Sequence, residues 1–247
     1  MVVLYIILAI LGGIVGLIII DLLFLAVLAC FVRREQYDKP NGFYRAILTF
    51  HYRLLMILCN IGIKVSGREK LKQTGGKYLI VANHISNYDP FVTVVGLKEK
   101  NLAFITKPEN FKVPIFGKMS KKCCYLAIDR ENPRNAMKTI LKAAEILKNG
   151  TTNICVYPEG TRNHGNGLLP FHDGVFKIAQ KAECPVVVAA ITGTDKTHKR
   201  APFLRTTVKI EILRVIGKEE VESRTSHDLS GEARRLIAVA TGEKERA

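Results

Sequence analysis

The pair of residues with the clearest catalytic potential is His84 and Asp89, five positions apart behind a short apolar run. On a turn that leaves a strand and enters a helix, the carboxylate can fold back and hold Nδ1–H of the imidazole, which leaves Nε2 to accept a proton. A general base of this kind contributes about 10² to 10⁴ in rate. From this local pattern alone, polar loop residues that cap the next helix are an equal alternative.

Cations and hydrogen-bond donors follow three further apolar runs, at Lys107, at Arg130 and within residues 157–162. In the last segment, Gly160 allows close approach of the backbone, and Arg162 offers a bidentate fork for phosphate. An arginine that follows a strand, taken alone, is more often a solvated loop residue than a ligand-binding one. Because ligands bind beyond the carboxyl ends of strands in open α/β sheets, the four segments together predict one anion-binding edge that includes His84.

The elements that must position these residues are strands and helices in alternation from about residue 64. Short apolar runs without polar alternation are typical of strands covered on both faces. The predicted strands are residues 78–82, 102–105, 124–128, 153–157, 186–191 and 206–216. A helix begins after Asn132, with Pro133 in its first turn, and another covers residues 172–183. The sequence therefore predicts the α/β class, with a largely parallel central sheet flanked by helices.

The first 32 residues are apolar except for three glycines and Asp21. As one helix they would be about 48 Å long, which exceeds the ~30 Å hydrocarbon core of a bilayer. Residues 43–61 then predict an amphipathic helix with Arg45, Thr49 and Arg53 on one polar stripe. We expect a membrane-associated module of two helices, residues 1–62, before an α/β domain, residues 63–247. A first helix that spans the bilayer is the alternative.

The charge distribution indicates an anionic partner. The chain has 37 Lys and Arg against 22 Asp and Glu, a net charge of +15, and almost all of it follows residue 32. This excess favours a membrane surface, nucleic acid or a phosphorylated substrate. Arg33, Arg34 and Lys39 directly follow the apolar run, so the positive-inside rule places the α/β domain on the cytoplasmic side of the cell membrane.

Several classes of function lack their characteristic residues. No serine lies in a G-x-S-x-G elbow, and neither a nucleotide-binding phosphate loop nor a dinucleotide fingerprint occurs. The six cysteines lack CxxC or zinc-finger spacing, so we expect buried free thiols and no metal site. Lysine and arginine are spread over the body and tryptophan is absent, which disfavours a nucleic-acid partner.

In their order and separation, these segments resemble the motifs of membrane-bound glycerolipid acyltransferases, above all the 1-acylglycerol-3-phosphate (lysophosphatidate) acyltransferase branch. The motifs are His84-x4-Asp89, Asp129-Arg130, Pro158-Glu159-Gly160-Thr161-Arg162 and Pro185 before an apolar run. The resemblance implies transfer of a fatty acyl group from an acyl thioester to the free hydroxyl of lysophosphatidate, giving phosphatidate. The thioester of acyl carrier protein or coenzyme A is then a co-substrate, and the reaction needs no cofactor and no acyl-enzyme.

Carried over residue by residue, the resemblance implies that His84 is the general base and Asp89 its partner. The residues that it assigns to substrate binding are Lys107, Arg130, Glu159, Gly160, Thr161 and Arg162. Tyr157 and Asn163, on either side of the third motif, residues 158–162, depart from the commoner Phe and Ser.

Three other functions remain open at this point. The same His–Asp pair suits an acyltransferase for another lyso-lipid or for glycerol 3-phosphate. A non-catalytic membrane protein that binds anionic lipids would also explain the basic loops and the apolar start of the chain.

Overall fold

The computed structural model describes residues 1–33, 35–99, 101–164 and 166–242. The strands are β1 (Ile61–Ser66), β2 (Leu79–Ala82), β3 (Leu102–Thr106), β4 (Leu126–Ala127), β5 (Asn153–Val156), β6 (Val186–Thr192) and β7 (Thr206–Ile216). The helices are α1 (Val2–Cys30), α2 (Gly42–Leu58), α3 (Asp89–Leu97), α4 (Phe116–Lys122), α5 (Pro133–Lys148), α6 (Lys177–Ala182), α7 (Thr197–Arg200), α8 (Lys218–Ser223) and α9 (Ser226–Thr241). Short 3₁₀ turns cover Arg68–Thr74, Pro108–Lys112, Asp173–Phe176 and Thr194–Lys196.

One seven-stranded sheet forms the centre, in the order β1-β7-β6-β2-β5-β3-β4. Every neighbouring pair is parallel except β6 and β7. The predicted α/β class with a largely parallel sheet is therefore confirmed. Because β2, β5, β3 and β4 are adjacent and parallel, the segments that follow them emerge at one edge of the sheet.

Helices cover both faces of this sheet. Right-handed crossovers place α3 and α4 on one face, where α2 packs against them, and α5 and α6 on the other, where α9 joins them. Between these layers, all four residues of β2 and of β5 are buried. As predicted, Asn132 caps α5, since its side chain accepts the backbone N–H groups of Arg134 and Asn135.

Three local predictions differ from the structure. Strand β1 was not predicted, since the second helix was expected to reach residue 61 and the first strand to begin at residue 78; its pairing partner, β7, begins 145 positions after Ile61, at Thr206. The strand expected at 124–128 shrinks to two residues, since Cys124 has a left-handed φ of 62°. The helix expected at 172–183 begins as a 3₁₀ turn. The division at residues 62 and 63 falls within β1 and stays a prediction.

The N-terminal helix α1 is long and apolar enough to cross a membrane. Only its C-terminal third packs on the protein, where Leu25 and Ala29 are buried and the Tyr44 hydroxyl of α2 donates to the carbonyl of Leu28. Asp21 bonds His51 of α2, with Oδ2 and Nε2 3.1 Å apart. This extended apolar surface associates the protein with a membrane.

The orientation of α2 corrects the expected polar stripe. Arg45 does not face water: it is buried, its Nη2 donates to the carbonyl of Cys123, and its guanidinium lies over the ring of Tyr125. The side chains that α2 exposes are mostly apolar: Phe43, Phe50, Leu54, Ile57 and Leu58. The helix is therefore amphipathic in the sense that suits a bilayer interface, with its apolar face turned away from the body.

Candidate active site

The structure forms the predicted His–Asp pair. His84 follows β2, Asp89 begins α3, and Nδ1 of the imidazole lies 2.8 Å from Oδ2 of the carboxylate. Because a carboxylate only accepts hydrogen bonds, this contact places the proton on Nδ1. Nε2 is then the ring nitrogen that can take a proton from a substrate. The imidazole is 19% exposed, whereas Asp89 is completely buried.

The segment between the two residues folds around the carboxylate. Oδ2 of Asp89 also accepts the backbone N–H groups of Ile85 and Ser86, both at 2.7 Å. Asp89 occupies the first position of α3, where the helix dipole stabilises a negative charge. The Thr93 hydroxyl donates to the Asp89 carbonyl one turn later. Oδ1 has no hydrogen-bond donor among the described residues. The chain fold, and not the imidazole alone, therefore holds this carboxylate.

The ring of Tyr157 covers one face of the His84 imidazole and fixes its orientation. It follows β5, the neighbour of β2, and its ring stacks on His84 with 4.4 Å between centroids and 12° between planes. Phe104 of β3 stacks behind it at 6.1 Å. Burial raises the pKa of the Tyr157 phenol well above its ordinary value, so the ring stays neutral. The sequence marked Tyr157 only as a departure from the resemblance, and no local signal predicted this stacking.

The carboxylate of Glu159 is hydrogen-bonded to the backbone of His84 and to the loop that follows β5. Oε1 accepts the N–H of His84 at 2.6 Å, and Oε2 accepts the Asn163 amide and the Leu169 N–H, both at 3.0 Å. Asn163 returns a backbone N–H to the His84 carbonyl at 2.8 Å. Burial raises the pKa of Glu159, although these bonds favour its charged form. Both carboxylate oxygens of Glu159 therefore accept hydrogen bonds from the chain, and the substrate-binding role that the resemblance implies stays a prediction.

Gly160 is required by its conformation and its surroundings. Its φ is +71°, and a Cβ there would lie 2.9 Å from the ring of His172 and 3.6 Å from Cζ of Arg130. The glycine thus lets an imidazole and a guanidinium approach the same point of the backbone. The next residue, Thr161, is exposed. His172 was absent from the predicted site because no motif marks its loop.

The three predicted cations all lie at this edge of the sheet. Arg162 is half-buried, whereas Arg130 is exposed overall and Lys107 is exposed at the end of β3. Burial lowers the pKa of Arg130, and the nearby charge of Glu109 opposes this effect. Within the described residues, none of the three side chains forms an ion pair. The site therefore offers cationic groups that an anionic ligand can engage.

A cavity of about 250 Å³ opens beside these groups. Its polar lining comes from Arg130, Gly160, His172 and Asp173, and its apolar lining includes Ile128 and Ile140. Tyr157, which stacks on the imidazole of His84, also lines this cavity. A ligand with an anionic and an apolar part can therefore bind close to His84.

Comparison with known proteins identifies the fold and the family. The model of the family described as "Acyltransferase" matches residues 62–192, from β1 to the end of β6. The chain belongs to this family. The acyltransferase motifs of the sequence all lie within the matched range, so the family resemblance drawn from His84, Asp89 and residues 158–162 is confirmed.

Individual relatives are similar over most of this acyltransferase. A 1-acyl-sn-glycerol-3-phosphate acyltransferase from Escherichia coli (strain K12) is 29% identical over 187 residues, 73% of this chain and 76% of that protein. The enzyme of the same description from Haemophilus influenzae is 32% identical over 135 residues, 54% of this chain and 55% of that protein. The crystal structure of a 1-acyl-sn-glycerophosphate acyltransferase from Thermotoga maritima matches with a TM-score of 0.63 at 24% identity, covering 79% of this chain and 77% of that one. This last likeness supports the fold.

Proposed function

We propose that this acyltransferase moves a fatty acyl group from an acyl thioester to the free hydroxyl of lysophosphatidate, which yields phosphatidate and a free thiol. The observation that carries the proposal is the 2.8 Å contact of His84 with Asp89 at the same sheet edge as Arg130 and Arg162. The similarity to relatives described as 1-acyl-sn-glycerol-3-phosphate acyltransferases supports the choice of acceptor.

His84 acts as the general base in this proposal. Nε2 takes the proton of the acceptor hydroxyl while its oxygen attacks the thioester carbonyl, and Asp89 stabilises the imidazolium that results. The new C–O ester bond forms, the C–S bond breaks, and the imidazolium returns the proton to the leaving thiolate. Because a thioester is already an activated acyl donor, direct attack needs no acyl-enzyme, metal or cofactor.

The cations hold the acceptor phosphate near this base. Arg130, beside Gly160, and Arg162 supply charge-assisted donors, and the exposed loop at Thr161 can add further donors. Lys107 extends the positive edge at the end of β3. Anchoring the phosphate holds the attacking hydroxyl near the thioester, which converts a bimolecular encounter into an oriented one.

The membrane supplies the acceptor and the product stays in it. The apolar surfaces of α1 and α2 keep the protein at the bilayer, and the positive-inside rule supports a catalytic domain on the cytoplasmic side. Acyl carrier protein is acidic and coenzyme A is phosphorylated, so the net charge of +15 suits either donor.

The proposal is tested with the purified full chain, lysophosphatidate and both kinds of thioester. We expect phosphatidate from the parent protein and its loss in His84→Ala, with binding of lysophosphatidate retained. Glycerol 3-phosphate and a lyso-lipid without a phosphomonoester serve as competing acceptors, and faster acylation of either would reject lysophosphatidate as the substrate. Equal activity of His84→Ala and the parent would reject the mechanism. Lipid binding by the parent without any acyl transfer would identify a non-catalytic lipid-binding protein.

A further inference from the structure

The segment between β6 and β7 contains a cationic loop, residues 196–205, whose charge the proposed chemistry does not use. Its four cations are Lys196, Lys199, Arg200 and Arg205, and it contains no Asp or Glu. All four are exposed, and within the described residues none of them forms an ion pair. Phe203 and Leu204, at 90% and 62% exposure, project from the same loop. Adjacent exposed cations and large apolar side chains are typical of a membrane-binding surface.

The sheet places this loop beside α2. Because β7 is antiparallel to β6 and parallel to β1, the loop before β7 and the end of α2 before β1 lie at the same edge. The backbone N–H of Thr206 donates to the carbonyl of Asn60 at 3.0 Å. The Arg205 guanidinium covers Gly62, where a Cβ would be 3.0 Å from Nη2. The exposed Ile57 and Leu58 of α2 immediately precede this junction.

The cationic loop also contacts the catalytic segment. The ring of His198 packs edge-on against Tyr88, the residue before Asp89, with 5.2 Å between centroids. The Tyr88 hydroxyl in turn lies 3.7 Å from Sγ of Cys59, at the end of α2. The loop, the end of α2 and the His84–Asp89 segment therefore form one continuous region.

We propose that the cationic loop is a second membrane contact, which binds an anionic phospholipid surface next to α2. Its lysines and arginines pair with lipid phosphates, and Phe203 and Leu204 enter the bilayer interface beside Ile57 and Leu58. The membrane contact of α2 and that of the cationic loop lie on either side of Tyr88. Together they hold the catalytic edge against the bilayer, so a lipid acceptor reaches His84 from the membrane. The delivery of a lipid acceptor to His84 rests on the proposed function, whereas the membrane contact of the loop does not.

A tryptophan reporter tests the contact directly, because the chain has no native tryptophan. The full-length Phe203→Trp variant is reconstituted in vesicles of phosphatidylcholine and phosphatidylglycerol, with lipids brominated in their acyl chains as quenchers. We expect blue-shifted emission and strong quenching. The matched control is Val239→Trp, on α9 of the opposite layer and 80% exposed, which should stay red-shifted and unquenched. Equal behaviour of the two reporters would overturn the proposal.

Charge reversal tests the role of the lipid phosphates. Adding Lys199→Glu and Arg200→Glu to the Phe203→Trp reporter should lower its quenching at least twofold in these vesicles, because the loop then repels anionic lipid. The control pair Lys138→Glu and Lys181→Glu, on α5 and α6, should leave it unchanged. These readouts need no acyl transfer, so they separate the contact from the proposed function. A reporter that lipid does not quench, but that acidic acyl carrier protein shifts, would assign the loop to the donor and overturn the membrane contact.

Discussion

Two parts of the same sheet edge are built in opposite ways. In the catalytic segment, Oδ2 of Asp89 accepts three N–H groups, and Glu159 holds the backbone of His84 from below. In the anion-binding part, Arg130 and Arg162 form no ion pair within the described residues. In the first part, the hydrogen bonds around His84 and Asp89 form without a substrate. In the second, the guanidinium groups of Arg130 and Arg162 can pair with an anionic substrate.

This difference separates two contributions to catalysis. A base with a fixed tautomer and ring orientation lowers the barrier of the chemical step. Cations that engage the phosphate equally in the ground state and the transition state lower KM instead. Variants in the catalytic segment should therefore act on kcat, and variants in the anion-binding part on the KM of the acceptor.

Asp89→Asn should have the largest effect. The amide oxygen of Asn can still accept these N–H groups, but a neutral amide no longer stabilises the imidazolium that forms as His84 takes the proton, so kcat should fall on the order of 10³-fold. The loss of kcat should persist when both the acceptor and the acyl donor are saturating. A variant with a normal kcat and a raised KM would show that the two parts of the edge are not functionally distinct.

Arg162→Ala and Arg130→Ala should raise the KM for lysophosphatidate roughly 10- to 100-fold, the loss expected for one or two charge-assisted hydrogen bonds. Because neither arginine forms an ion pair in the described structure, the melting temperature should stay close to that of the parent. Lys209→Ala, an exposed position on β7, is the control. A change confined to the KM of the acyl donor would contradict the assignment of these arginines to the acceptor phosphate.

Glu159→Gln should reduce both stability and kcat while leaving the KM for lysophosphatidate unchanged. Both carboxylate oxygens accept N–H donors, so either amide orientation points an NH₂ group at a donor and costs about 1–3 kcal/mol. Urea unfolding and steady-state kinetics measure the two effects. The exposed Glu219→Gln on α8 should change neither. A raised acceptor KM at normal stability would return Glu159 to the substrate-binding role.

The smallest effect is expected at the exposed pair of His227 and Asp173, whose Nδ1 and Oδ2 atoms lie 2.9 Å apart. The hydrogen bond to Asp173 raises the pKa of His227 above its ordinary value of 6.5. The pair therefore stabilises the fold fully at pH below that value, and its contribution is lost as pH rises through the raised pKa. Asp173→Asn should return the pKa, measured by NMR titration, toward 6.5. An unchanged pKa would exclude this contact in solution.

The sequence predicted the parts of the molecule that depend on local patterns. Apolar runs located β2, β3, β5 and β6, and an asparagine before a proline located the start of α5. The five-residue spacing of His84 and Asp89 predicted a contact that the structure contains, because both residues lie on one short turn.

What the sequence did not predict depends on distant partners. The pairing of β1 with β7, the stacking of Tyr157 on His84 and the bonds of Glu159 all join residues far apart in the chain. Arg45 of the predicted polar stripe of α2 is buried, because a carbonyl and an aromatic ring of the body replace water around its guanidinium. Side-chain periodicity cannot reveal such partners.

The most direct test of the central claim compares His84→Ala with Arg162→Ala at increasing lysophosphatidate and a fixed, saturating thioester. We expect Arg162→Ala to approach the turnover of the parent as the acceptor saturates, whereas His84→Ala should stay on the order of 10²-fold or more below it at every concentration. Recovery of His84→Ala at high acceptor would contradict the claim that its imidazole performs the proton transfer.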